Sequence, residues 1–149
     1  MKIAINGFGR IGRLVYRLMK EDDFFDVVAI NDLSSSEEMA YLLRYDTNHR
    51  TYDKDITFDS EGIIVDGKKT RVYSEMDPSN LPWGELGIDL VFECTGKFTK
   101  KEDANKHILA GAKKVLISAP GKGDMKTIVY NVNDDILKGV LIKWKFLKD

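Results

Sequence analysis

Hydrophobic and polar positions change their period several times along this chain, and each change marks an element. Lys2–Asn6 is a short apolar run of the kind found in buried strands, and the glycine-rich stretch Gly7–Gly12 follows it at once. From Arg10 to Lys20 the apolar residues Ile11, Leu14, Val15 and Leu18 recur at helical spacing. Val27–Asn31 is a second apolar run, bounded by charge and by Asp32, and reads as a strand. Together these segments make a βαβ unit of about the ~30 residues such a unit requires. Ser36 with Met39, Leu42 and Leu43 predicts a further helix, with Ser34–Ser36 supplying the N-cap and Glu37 and Glu38 in the first turn.

Between Tyr52 and Tyr73 the pattern shifts to short β-type runs, Ile56–Phe58, Ile63–Val65 and Arg71–Tyr73. Asp-Ser-Glu-Gly and Asp-Gly-Lys-Lys turns separate them, which predicts a small antiparallel excursion. Leu90–Glu93 returns to the buried-strand pattern, Lys100–Leu109 reads as a helix ended by Gly111, and Val115–Ser118 as another strand. Ile128–Tyr130 is a candidate for one more. Strands that alternate with helices predict an α/β fold, a Rossmann-type, mostly parallel sheet with helices on both faces. The chain has no internal repeat and no linker, so residues 1–149 are expected to form one domain.

Composition narrows the functional classes. With 43% hydrophobic and 32% charged residues the chain is that of a globular protein, and a net charge of −1 argues against binding nucleic acid through bulk electrostatics. No apolar run approaches the ~20 residues of a membrane span. The first residues enter a strand pattern directly, which argues against a signal peptide and makes the cytoplasm the expected compartment. A single cysteine, Cys94, excludes an internal disulfide and a cysteine-based zinc site.

The chemistry concentrates in Gly7-Phe8-Gly9-Arg10-Ile11-Gly12, a G-x-G-x-x-G between a strand and a helix. Gly7 permits the tight turn, Gly9 lets a pyrophosphate approach the backbone, and Gly12 lets the helix pack closely on the sheet. The N–H groups at the helix start then face the phosphates. Arg10 and Arg13 add attraction, Arg13 having the alternative of a solvated helix residue. Asp32 stands twenty residues beyond Gly12 at the end of the second strand. A carboxylate there accepts hydrogen bonds from the ribose hydroxyls of adenosine and repels a 2′-phosphate, so the expected cofactor is NAD rather than NADP.

Residues 5–13, Ile-Asn-Gly-Phe-Gly-Arg-Ile-Gly-Arg, resemble the opening signature of the glyceraldehyde-3-phosphate dehydrogenase family. The resemblance continues in Val28–Asp32, Tyr45–His49, Asp77–Trp83, Glu93–Thr99, Gly111–Pro120 and Tyr130–Asn133. It runs to about residue 137 and leaves 138–149 as a divergent tail. It implies an NAD site with Arg10 and Ile11 at the pyrophosphate turn, and Asn31 and Asp32 at the adenosine ribose. Glu75 and Met76 would lie near the adenine, Thr95, Gly96 and Phe98 would line the cleft, and Ser118 and Ala119 would approach the nicotinamide. Ligands of open α/β sheets sit at strand C-terminal ends, which agrees with these positions.

The same resemblance calls for a nucleophilic cysteine in a Ser-x-Ser-Cys-Thr-Thr-Asn-like motif, with an activating histidine, and the chain holds neither. Cys94, at the end of a buried strand, reads as a small core residue, His49 as a loop residue and His107 as a helix residue. In the tail, Ile142, Trp144 and Phe146 alternate with Lys143 and Lys145, a half-buried strand pattern or else an interaction tail. The expectation is a domain that binds NAD, lacks the catalytic domain and cannot itself oxidise the aldehyde. The alternative is an interaction module that self-associates or joins full-length dehydrogenase subunits.

Overall fold

The computed structural model describes residues 1–46, 50–128 and 132. Its main sheet has seven strands, in the spatial order β5 (Ile56–Phe58), β6 (Gly62–Val65), β7 (Lys68–Tyr73), β2 (Asp26–Asn31), β1 (Lys2–Asn6), β8 (Leu90–Glu93) and β9 (Lys114–Ile117). The parallel part consists of β1, β2, β7, β8 and β9. The chain leaves β1 for β2 on one side and later returns to place β8 on the other. The order therefore reverses between β1 and β8, and the C-terminal ends of these two strands are the switch point at which open α/β sheets take up ligands.

Both faces of the sheet are covered. Ile3 and Ile5 of β1 point to one side, where α1 (Arg10–Lys20) and α2 (Ser36–Arg44) bring Tyr16, Met19, Met39 and Leu43. Ala4 between them points to the other side and packs in a second cluster with Ala29, Val91, Trp83 and Ile88. That side also holds a 3₁₀ turn (Pro78–Asn80), α3 (Trp83–Leu86) and α4 (Lys101–Leu109).

The inward face of α1 differs from the apolar positions read along the sequence. Gly12, Tyr16 and Met19 are buried, spaced four and three apart, whereas Ile11 and Leu18 are 49% and 46% exposed. The reason lies at Gly12, where a Cβ would stand 2.0 Å from the carbonyl oxygen of Gly7. The helix starts so close to the turn that the residue with no side chain must face inward, and this rotates Ile11 outward.

The antiparallel excursion extends the main sheet. β5 (Ile56–Phe58), β6 (Gly62–Val65) and β7 pair antiparallel in sequence, and β7 then joins β2 in parallel. Asp66 and Gly67, both at positive φ, form the two-residue turn between β6 and β7. A separate pair, β3 (Tyr45–Asp46) with β4 (Arg50–Thr51), was not anticipated, nor were the 3₁₀ turn and α3. Residues 129–130 of the expected 128–130 strand, and the alternating stretch 142–146, lie outside the described residues.

Candidate functional site

The turn after β1 is tied to both neighbouring strands. The Gly7 N–H donates to the Asn31 carbonyl at 2.8 Å, and the Phe8 N–H donates to Asp32 Oδ2 at 2.7 Å. Gly7 has φ of +91°, and a Cβ there would meet the Thr95 nitrogen at 2.8 Å, so only glycine fits between β1 and the loop after β8. Gly9 is different in kind. It is exposed, its φ of −74° is open to any residue, and a Cβ would meet nothing within 4 Å. Neither packing nor backbone strain calls for glycine at that position, and what its missing side chain preserves is open space in front of α1.

The start of α1 is correspondingly bare. Gly9, its N-cap, makes no side-chain cap bond, and its first turn contains no acidic residue. Arg10 and Ile11 are exposed there. Arg13 instead turns back, its guanidinium donating to the Phe8 carbonyl at 2.9 Å, so it braces the turn.

Asp32 is half-buried at the end of β2. Besides Phe8, it accepts the Ser34 N–H on Oδ1 at 2.9 Å. Burial by itself raises its pKa, but the hydrogen bonds from Phe8, Ser34 and Leu33 together outweigh this and hold the carboxyl below its ordinary value. It is therefore an anion at neutral pH, fixed to the glycine turn. The next residue, Leu33, is 60% exposed, and Met76, after β7, is 80% exposed. These two apolar side chains follow adjacent strands at the same edge. Leu33 did not emerge from the sequence, where one leucine after an acidic residue carries no signal.

Beneath the cleft lies a buried row of polar side chains. Asn31 is 4% exposed, its amide donates to Asn6 Oδ1 at 2.7 Å and to the Glu75 carbonyl at 2.9 Å, and its Oδ1 accepts the Glu75 N–H at 2.8 Å. Asn6 donates to Glu93 Oε2 at 2.6 Å, and His107 Nε2 stands 2.8 Å from the same oxygen. The Thr95 N–H donates to Glu93 Oε1 at 2.9 Å, as does its hydroxyl. Trp83 Nε1 donates to His107 Nδ1 at 3.0 Å. Burial works to raise the Glu93 pKa, yet the bonds from His107, Asn6 and Thr95 prevail and lower it. His107 thus has partners that no local reading could supply, since Glu93 and Trp83 reach it from other elements.

The remaining expected residues share this edge. Gly96 is exposed after Thr95, and Phe98 lies edge-on to His107 with ring centres 6.5 Å apart. Ser118 closes β9 with its N–H on the Glu93 carbonyl, and Ala119 follows it, half-buried. The Cys94 thiol is pushed up to about 11 by burial, against a hydrogen bond with Ser118. A thiol so held is a poor nucleophile at neutral pH. Among the described residues no cluster of three His, Cys, Asp or Glu side chains is placed to hold a metal ion, and no helix is long and apolar enough to cross a membrane.

The chain is 54% identical over 138 residues to a glyceraldehyde-3-phosphate dehydrogenase of Clostridium pasteurianum, covering 93% of this chain and 41% of that protein. It is 54% identical over 134 residues to the enzyme of that name from Chlamydia pneumoniae, covering 89% and 40%. The one from Geobacillus stearothermophilus is 50% identical over 135 residues, covering 91% and 40%. The chain therefore spans about two fifths of the length of the curated relatives it matches. The family model of the glyceraldehyde 3-phosphate dehydrogenase NAD binding domain matches residues 1–101, beginning with the glycine turn and continuing through Asp32 and Thr95. With two thirds of its length under that match, the chain belongs to the family of glyceraldehyde 3-phosphate dehydrogenase NAD-binding domains.

Proposed function

We propose that this chain binds NAD across the C-terminal edge of its parallel sheet, with the pyrophosphate over Gly7–Gly12 and the adenosine ribose on Asp32. The observation that carries this reading is Gly9, a glycine with no structural need, in front of a helix start that has neither a cap nor an acidic neighbour. A pyrophosphate there would take the free N–H groups of Arg10, Ile11 and Gly12 and the positive end of the helix dipole.

Asp32 would accept both hydroxyls of the adenosine ribose, and its fixed negative charge would exclude a 2′-phosphate. Leu33 and Met76 offer apolar surface for the adenine beside Glu75, with Phe98 on the far side of the cleft. Asn31 acts indirectly, since its amide holds the Glu75 backbone. Thr95 and Gly96 would line the middle of the cleft, and Ser118 and Ala119 its nicotinamide end. Bound NAD supplies a hydride acceptor at its nicotinamide ring.

The whole-protein activity we assign is oxidation of glyceraldehyde-3-phosphate in glycolysis, in the cytoplasm. This domain holds and orients the cofactor for that reaction, and the high-lying Cys94 thiol gives it no nucleophile for the aldehyde.

Calorimetric titration of the chain with NAD, with NADP and an Asp32→Ala variant beside it, tests the assignment. Saturable NAD binding that weakens in the variant is expected, at a Kd on the order of tens of micromolar to millimolar. Equal affinity for NAD and NADP, unaffected by the substitution, would remove Asp32 from the site.

A further inference from the structure

We propose that Glu93 is a positioning residue whose buried negative charge holds both lips of the cleft, the Thr95 loop and the Glu75 segment, through one row of hydrogen bonds that converge on it. The proposal rests on reading this cleft as the dinucleotide site, and it concerns a residue that lines neither lip itself.

Two fixed donors set the direction of the row. The Trp83 indole N–H can only donate, so His107 Nδ1, 3.0 Å away, must offer its lone pair. The ring proton is then on Nε2, which donates to Glu93 Oε2. At the other end the Glu75 N–H can only donate, so the oxygen of the Asn31 amide faces it and the NH₂ faces Asn6. The Asn6 oxygen is thereby occupied and its NH₂ is directed to Glu93.

One unbroken line of donors therefore points toward the carboxylate from each side, from Glu75 through Asn31 and Asn6 and from Trp83 through His107, while the second Asn31 amide hydrogen turns back to the Glu75 carbonyl. Asn6 Nδ2 and His107 Nε2, 3.4 Å apart, are two donors sharing one oxygen. The second oxygen takes the Thr95 N–H and hydroxyl. Glu93 and His107 are 1% and 0% exposed, so water cannot replace a missing partner.

A buried carboxylate that receives four donors and no cation aligns each of them, and bonds in such a chain reinforce one another. The two lips have no direct bond between them in this row, yet both are oriented by the same charge. Glutamine at position 93 keeps the shape but presents an NH₂ to donors, which reverses the polarity at the point of convergence.

The test uses the full chain and two variants, Glu93→Gln and Trp83→Phe. Amide hydrogen exchange is read at Thr95 and Glu75, with Ile30 in the central strand β2 as the internal reference, and histidine ring nitrogen shifts report the His107 tautomer. In the wild type the ring is expected to carry its proton on Nε2. In Glu93→Gln, exchange at both Thr95 and Glu75 is expected to rise by about tenfold or more while Ile30 keeps its protection, the size expected for loss of a hydrogen bond to a charged group. NAD Kd should rise by about tenfold with it.

Trp83→Phe frees His107 Nδ1, and the same two amides should loosen by a smaller factor. If Glu93→Gln does not fold, this variant and Thr95→Val carry the test, the latter being expected to shift the His107 Nε2 resonance from the opposite side of the carboxylate. Unchanged protection of Glu75 in a variant that loosens Thr95 would overturn the proposal, since the lips would then be held independently. So would an equal acceleration of all amides, the mark of a merely structural role. Failure of the wild type to bind NAD, with the two amides still coupled, would instead strike at the dinucleotide reading and leave the positioning role standing.

Discussion

The starts of α1 and α2 lie on the same side of one sheet and are finished in opposite ways. Ser35 caps α2 by accepting the Glu38 N–H, and Glu37 and Glu38 set negative charge against its first turn. α1 has glycine at the N-cap, no side-chain cap bond and no acid in its first turn. A helix start normally leaves several N–H groups to be satisfied, and chains stabilise them with the residues α2 carries. What α1 lacks in local stabilisation it keeps as capacity for an external anion. The difference teaches that a binding site is legible in the stabilising groups a sequence withholds, provided a nearby element shows what it supplies elsewhere.

The second and third glycines of the fingerprint, Gly9 and Gly12, divide these roles most sharply. Gly12→Ala would ordinarily gain about 1 kcal/mol of helix propensity. Here the new Cβ would stand 2.0 Å from the Gly7 carbonyl oxygen, backbone that can move only by distorting the turn. A net loss of about 3 kcal/mol is expected, read as a lower denaturant midpoint. Gly9→Ala meets nothing within 4 Å and should leave that midpoint unchanged, while NAD Kd rises by about tenfold. Equal destabilisation by both would mean that Gly9 also serves the fold.

Asp32 sharpens the comparison at the next level, because it serves turn and ligand together. Asp32→Ala removes the acceptor of the Phe8 and Ser34 N–H groups and, on our reading, of two ribose hydroxyls. NAD Kd is expected to rise by about ten- to a hundredfold, the range for bonds to a charged group. Its folded-state pKa is depressed below the ordinary value, so its contribution to stability is present above the unfolded-state pKa and is lost as pH falls through the folded one. Acid denaturation should therefore steepen below about pH 4 in the wild type and less so in Asp32→Asn. Identical acid profiles would show that the two backbone bonds do not favour the ionised form.

The residues that were plain in the sequence are those whose meaning is local. The strand, the three glycines and Asp32 follow one another within a single βαβ unit, and their spacing alone places them at one edge. The helix α1 was legible in its apolar spacing, but its inward face was not, because glycine carries no weight in an apolar count although Gly12 occupies the most crowded inward position. The row through Glu93 was hidden for another reason. Asn6 lies 87 residues from Glu93, and His107 gains its partners only when α4 packs beside both α3 and β8. At the end of an apolar run a glutamate reads as a strand boundary, and nothing nearby announces that four donors will enclose it. The two-residue strands β3 and β4 were too short for any alternation to appear.

Removing the cap from α2 should cost stability and spare the ligand. Ser35→Ala leaves the Glu38 N–H without its acceptor, and a loss of about 1 kcal/mol is expected in denaturant unfolding. NAD affinity should match the wild type, because Ser35 borders neither the glycine turn nor the Thr95 loop. A large loss of binding in this variant would show that α2 and the cleft are coupled, and would weaken the contrast between the two helix starts.

The smallest effect comes from giving α1 what α2 already has. Arg10→Glu puts an acid into the first turn of α1, at an exposed position. The helix dipole then gains a partner, and stability should rise by about 0.3–1 kcal/mol at low ionic strength, with the gain fading as salt is added. The same carboxylate would occupy the field that a pyrophosphate needs, so NAD affinity should fall several-fold and partly recover in salt. Opposite signs in one variant are the decisive feature, for a surface arginine with no role at the helix start would change neither quantity. If stability and affinity fall together, the vacancy at α1 is not what attracts the cofactor, and the open space at Gly9 would have to act through shape alone.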